Sequence, residues 1–330
     1  MNKMRKFLIF IFLISTCFTS SIIFSNKEFD RNGNKYNQIT IVIDTLDIYA
    51  DGFLRKVVLF NNKFYCLFET QRHNTSQSYK KMIVYSLDGK FVEDVFIPKE
   101  IQRMPDYDLI VENDSLFLKE SQFEKENFVL GRYVADFNKI GERDFKIYQD
   151  EDYNVYSSCC GEWGGTVFFQ NRITKKVYDA SSTCPIVVNK IKNDYYVTNY
   201  LDHMIGYSSI LKIPDPTKMQ QSKLNFEVNK GSDFELGTET ILDTTDIFIA
   251  TSFVLDNSLY HLYSDNDGNY IGKIEGQKLV KIKDFGFKFY TQFNQQLTDG
   301  RQILNCFFKE DEKNGILIID KNNFHFYRFR

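Results

Sequence analysis

Apolar positions along the chain fall in short runs rather than long stripes. "KMIVYS" (81–86), "NGILIID" (314–320) and "FHFYRF" (324–329) are β-branched and aromatic runs of five to seven residues, and residues within such runs alternate between two faces. A period of two marks strands packed on a core. Sustained helical periodicity is absent after the first 25 residues, so the chain reads as all-β. Only 5 of 330 residues are proline, which leaves ladder donors intact, and Asn, Asp and Lys fill many turn positions.

The runs repeat. "FNNKFY" (60–65) and "ENDSLF" (112–117) share an Asn/Asp turn followed by large apolar residues, at an offset of 52. The same offset carries Gly89 of "SLDGK" onto Gly141 of "NKIGE". The motif returns in "KNDYY" (192–196) and "DNSLY" (256–260), with weaker versions in "GGTVFF" (164–169) and "DGRQIL" (299–304). Six strand openings result. A second hairpin after each is expected to turn at Asp88-Gly89, Ile140-Gly141, Ala180-Ser181, Asp215-Pro216, Glu275-Gly276 and Asn322-Asn323. A unit of about 47 residues matches the propeller blade of four strands.

The expectation is one β-propeller domain over residues 39–330, six blades, with five or seven as alternatives. "NQITIVID" (37–44) precedes the first repeat without a hairpin partner, and in a closed ring it would pair with the last blade. "MIVYSLDGKFVEDVFIP", "YDLIVENDSLFLKE" and "ILIIDKNNFHFY" resemble exported six-bladed β-propeller proteins of bacteria, related in shape to NHL and TolB-type propellers. That resemblance covers residues 40–330 and implies fold and compartment; activity is not implied, because propellers host binding, scaffolding and hydrolysis alike. An outer-membrane barrel is the competing fold, suggested by 16% aromatic residues, but most runs are shorter than the 9 to 11 residues its strands need.

The N-terminus adds the compartment. Lys3, Arg5 and Lys6 precede an uncharged stretch from Phe7 to Asn26, an export signal over residues 1–25 with a short linker at 26–38. Three fates are open: cleavage near Ser21 to Ser25, lipidation at Cys17 within "ISTC", or retention as an uncleaved anchor. Without the three basic residues, 38 Lys+Arg stand against 44 Asp+Glu, a formal charge of −6. No clustered positive charge is present to neutralise phosphates, which argues against a nucleic-acid partner.

Five cysteines follow Cys17. Cys66 and Cys306 lie in apolar runs and are expected to be buried, whereas Cys159, Cys160 and Cys184 lie in loop-like sequence. Export permits a disulfide, expected between Cys160 and Cys184 with Cys159 as the alternative. A zinc site is disfavoured, since no histidine is near and C-x-x-C spacing is missing.

Three stretches could carry chemistry. "YSDNDGNY" (263–270) fails the calcium-loop pattern and matches a sialidase-type Asp box imperfectly, so Asp267-Gly268 is read as a turn between blade strands. "SSCCGEWGG" (157–165) holds the single tryptophan; Glu162 and Trp163 suit sugar stacking or partner anchoring, against a plain packing role. "ETQRHNTSQSY" (69–79) offers Arg72 and His73 on a long connection, against a merely solvated loop. The four histidines lack ligand spacing, and no nucleophile elbow, phosphate loop or dinucleotide fingerprint appears. The expectation is a monomeric, non-enzymatic module for a protein or glycan ligand, with no metal or cofactor. A carbohydrate-active hydrolase or lyase and an extracytoplasmic sensor or assembly component are the alternatives.

Overall fold

The computed structural model describes residues 22–25, 39–49, 52–71, 78–97, 102, 107–112, 115–120, 127–129, 146–159, 161–201, 206–223 and 235–330. Two N-terminal strands, β1 (Ile22–Ser25) and β2 (Thr40–Leu46), precede the repeats. The first sheet is β3 (Phe53–Phe60), β4 (Lys63–Gln71), β5 (Ser78–Ser86) and β6 (Phe91–Val95). A three-stranded sheet follows: β7 (Tyr107–Glu112), β8 (Ser115–Glu120) and β9 (Asn127–Val129). Next come β10 (Lys146–Gln149), β11 (Tyr153–Cys159), β12 (Gly165–Asn171) and β13 (Val177–Ser181), joined at the edge by β17 (Gln220–Ser222). β14 (Pro185–Ile191), β15 (Asp194–Leu201), β16 (Tyr207–Ile213) and β18 (Glu239–Thr245) form another sheet. Then β19 (Phe248–Leu255), β20 (Ser258–Ser264), β21 (Asn269–Glu275) and β22 (Lys278–Asp284) precede the closing sheet of β23 (Phe289–Gln296), β24 (Gln302–Phe308), β25 (Lys313–Asp320) and β26 (Asn323–Phe329).

This is an all-β propeller. First strands of successive sheets pack together, β3 on β7, β10 on β14, β14 on β19 and β19 on β23, and β23 returns to β3. Each of the six strand openings falls in a different sheet, on β4, β8, β12, β15, β20 and β24. Five sheets have the four or more strands of a full blade, whereas β7–β9 has three among the described residues. The expected six full blades are therefore corrected to five: the repeated motif marks one strand per sheet and carries no information on how many strands join it. Separate sheets also set aside the single closed sheet of a barrel.

"NQITIVID" pairs as its pattern requires. β2 runs parallel to β26, Thr40 beside Asn323 through Leu46 beside Phe329, and so fastens N-terminal sequence onto the closing sheet. β1 in turn lies antiparallel on β2, so residues 22–25, within the stretch assigned to the export signal, add to that sheet's edge. Among the described residues no helix is long and apolar enough to cross a membrane.

Turn chemistry follows the residues. Asn61 and Asn62 (φ 48° and 55°) and Asp256 and Asn257 (φ 49° and 55°) are left-handed, as tight hairpins of this twist demand, and Asn and Asp tolerate that region. Asp265 Oδ1 accepts from the N–H groups of Asp267 and Gly268, turning β20 into β21 as expected for "SDNDG". The turn expected at Ala180-Ser181 is a correction, because both residues end β13 and the chain bends only after them. Ile140-Gly141 lies outside the described residues.

The core lies between blades. Phe253, Phe285, Phe289, Phe324 and Phe326 fill the interface of the β19–β22 sheet with the closing sheet, and Val57, Phe64, Phe68, Ile316 and Phe329 fill the next. Each such side chain contributes about 2 kcal/mol of burial. Polar side chains stitch the same interfaces. Asn294 and Gln295 of β23 accept from the N–H groups of Val57 and Leu59, a substitute for ladder bonds between neighbouring sheets.

Candidate functional site

In the sheets of four or more strands, strand direction sorts the strand ends onto two ends of the propeller: first-to-second and third-to-fourth turns meet at the lower end, while second-to-third turns and the starts of first strands meet at the upper end. Gln71 and Ser78, which bound the connection holding Arg72 and His73, and Cys159, which precedes the Trp163 turn, are upper-end positions. Arg72 and His73 themselves lie outside the described residues, as do Cys17 and Cys160.

Trp163 ends a short 3-10 helix, Gly161–Trp163, between β11 and β12. Gly161 (φ 63°) opens it and Gly164 (φ 91°) follows it, both in left-handed conformation, and the Gly164 N–H donates to the Gly161 carbonyl at 3.1 Å. The indole is 80% exposed, so the packing role is excluded. Glu162 beside it is exposed as well.

A disulfide braces this turn. It joins Cys159 to Cys184, with Cα atoms 4.3 Å apart, and this corrects the expected Cys160–Cys184 pairing. The register of β11 on β12, which ends with Cys159 beside Gly165, sets where that sulfur lies. Cys159, at the end of β11, is the one that meets Cys184, which immediately precedes β14. The bond thus ties the Trp163 turn to the first strand of the next sheet. Cys66 and Cys306 are free and buried, as their apolar runs imply.

A second aromatic group, missed in the sequence, occupies the same end. Phe53 opens β3 and is 56% exposed, and its ring lies 5.4 Å from that of Phe307 on β24. Tyr290 pairs with Phe307 across β23 and β24, and Lys309 Nζ sits 3.8 Å from the centre of the exposed Tyr290 ring. Two clefts flank this ridge. One, about 420 Å³, is lined by Asp267, Asp284, Phe287, Lys288, Lys309 and Glu310; the other, about 570 Å³, lies between the closing and first sheets.

Candidate reacting groups lie elsewhere. Ser252 Oγ is 2.7 Å from His261 Nδ1, a spacing that suits a nucleophile and its base, yet both side chains are wholly buried. Thr198 donates to Ser252 Oγ, and Asn189 and Gln302 amides both donate to the Ser252 carbonyl, so the group joins three sheets. Burial pushes the His261 pKa down to about 3 and keeps the ring neutral. Among the described carboxylates the upward-shifted one is Asp179, raised by burial, and it lies on β13 rather than on a first strand. Among the described residues no group of three or more His, Cys, Asp or Glu could hold a metal ion.

No family model matches the chain. No curated protein matches it in sequence. Among solved structures it is similar to the β-propeller domain of the Trilobed protease from Pyrococcus furiosus, with 8% identity, TM-score 0.32, and coverage of 83% of this chain and 95% of that one. It is also similar to Trypanosoma rangeli sialidase in complex with sialic acid, at 8% identity and TM-score 0.35, over 90% of this chain and 58% of that one. A quinoprotein alcohol dehydrogenase-like protein from Bacteroides thetaiotaomicron is similar at 10% identity and TM-score 0.30, over 94% and 88%. Likeness at these scores carries no argument about ligand or chemistry.

Proposed function

We propose that the protein is an exported recognition module that binds a glycan or protein ligand through the upper end of its propeller. One observation carries this reading: exposed aromatic side chains are segregated. Tyr49, Phe53, Tyr79, Phe96, Trp163 and Tyr290 lie at the upper end, whereas Phe91 alone lies at the lower end among the described residues. Rigid aromatic anchors supply contact area at small entropic cost, and Trp and Tyr dominate binding hot spots. A disulfide beneath Trp163 adds preorganisation.

Export draws support from two features, the basic head before an apolar run and the disulfide itself, which persists in an oxidising compartment. In this reading the module is periplasmic or tethered to a membrane, through Cys17 if it is acylated. Kinship with NHL and TolB-type propellers belongs to the same proposal.

The test is a screen of oligosaccharides and peptides against the wild type, Trp163→Ala and the lower-end variant Ile173→Ser. Binding lost in the first variant and kept in the second is the expected result. Equal effects, or loss confined to Ile173→Ser, overturn the assignment of the upper end.

A further inference from the structure

The larger upper-end cleft, about 570 Å³, is lined by Gly52, Phe53, Phe307, Lys313, Phe329 and Arg330 together with Glu312 and Asn314. We infer that it binds an acidic sugar, a pyranose ring bearing a carboxylate. This names a ligand class for the upper end and rests on the recognition reading above.

The aromatic wall comes first. Phe53 and Phe307 project from different sheets with their rings tilted by 52°, and the buried Phe329 closes the base. Apolar C–H faces of a sugar ring pack on such surfaces, and the volume is within the range of small-molecule sites. The wall is held in place. Asn314 Nδ2 donates to the Gly52 carbonyl and its Oδ1 accepts from the Leu54 N–H, gripping the backbone on both sides of Phe53. Gly52 itself (φ 95°) admits no side chain, since a Cβ there would lie 2.5 Å from the Glu69 carbonyl oxygen.

Charge then selects the ligand. Asn314 anchors the wall, and the charged groups on the rim are Lys313, Arg330 and Glu312. Lys313 forms no ion pair among the described residues, and Arg330 is held by the exposed Tyr49 and by Asp47, whose side chain is 68% exposed. An exposed pair of that kind is weak, so a ligand carboxylate can compete for the guanidinium. Glu312 is left to accept from sugar hydroxyls. The neighbouring cleft has the opposite balance, with Asp267, Asp284 and Glu310 outnumbering Lys288 and Lys309. An anionic ring is therefore directed to the larger cleft. A protein partner needs roughly 800 Å² on each side, whereas a cleft of about 570 Å³ is of the size that takes a small ligand of one or a few rings.

The experiment titrates the whole protein calorimetrically with the trisaccharide of galacturonic acid and with its methyl ester. The acid is expected to bind, and the ester about tenfold or more weakly, the loss of a charge-assisted contact. Lys313→Glu should match that loss with the acid and leave the ester unchanged; Phe53→Ala should weaken both. Unaltered circular dichroism of the Lys313→Glu variant, at a half-buried position, keeps the comparison sound if Phe53→Ala misfolds. Equal affinity for acid and ester, or indifference to Lys313→Glu, overturns the acidic-sugar inference. If neither trisaccharide binds while other ligands are lost in Trp163→Ala, the inference fails and the recognition reading stands. If no ligand of any class depends on an upper-end residue, both fail.

Discussion

Asn314 on β25 and Leu54 on β3, 260 residues apart in sequence, are joined by a hydrogen bond of 2.9 Å from the Leu54 N–H to the Asn314 side-chain oxygen. The bond spans the seam where the ring closes. It does for neighbouring sheets what the ladder does within one, and with the Asn314–Gly52 contact it fixes the start of β3 beneath Phe53.

Asn314→Ala should therefore destabilise the fold by about 2 kcal/mol, because a part-buried donor and acceptor lose their partner together. Urea unfolding measures it. Asn314→Asp keeps the acceptor and loses the donor, so it should fall between the two; no loss in either variant would deny the seam this role.

Cys184→Ser should cost about 3 kcal/mol, the scale for a bridge closing a 25-residue separation in the chain-entropy account. The Trp163 turn should loosen with it. Fluorescence anisotropy of the single tryptophan reads the loosening directly, and unchanged anisotropy would mean that the turn is rigid without its brace.

His261 sets a pH dependence. Its folded pKa, about 3, is below the ordinary 6.5, so the unfolded chain binds the extra proton between these values. Stability from the neutral, buried ring is complete above about pH 6.5 and is lost as pH falls toward about 3, with a slope approaching 1.4 kcal/mol per pH unit. Denaturant midpoints measured from pH 7 to 4 should fall in the wild type and flatten in His261→Gln. A wild-type curve as flat as the variant's would show that the ring is not held neutral.

Much of the fold could be read from local pattern. Asn-, Asp- and Gly-containing turns ahead of apolar pairs located one strand in each sheet, and the unpartnered "NQITIVID" pointed to closure by β2, because both signals are carried by adjacent residues. Blade completeness is not local. β17 joins its sheet across a 38-residue gap from β13, and no periodicity announces such an edge strand. The choice between Cys159 and Cys160 turned on where β11 ends against the next sheet, which the residues around it do not announce.

Trp163 stood out in the sequence because glycines and cysteines surround it. Phe53, Tyr290 and Phe307 did not. They sit in "GFLRKV", "KFYTQF" and "NCFFKE", runs that resemble the buried runs elsewhere in the chain. Phe53 and Tyr290 are exposed because they stand at the upper-end starts of β3 and β23, and Phe307, near the upper end of β24, is half-buried beside Phe53. Strand alternation combined with strand direction would have located them once the sheet order was known.

The most direct test of an open aromatic recognition end is acrylamide quenching of Trp163, the single tryptophan. The account predicts native emission at the long wavelength of a solvated indole, with quenching close to that of the urea-unfolded chain. Blue-shifted emission protected from acrylamide in the native protein would place Trp163 in the core and contradict the account.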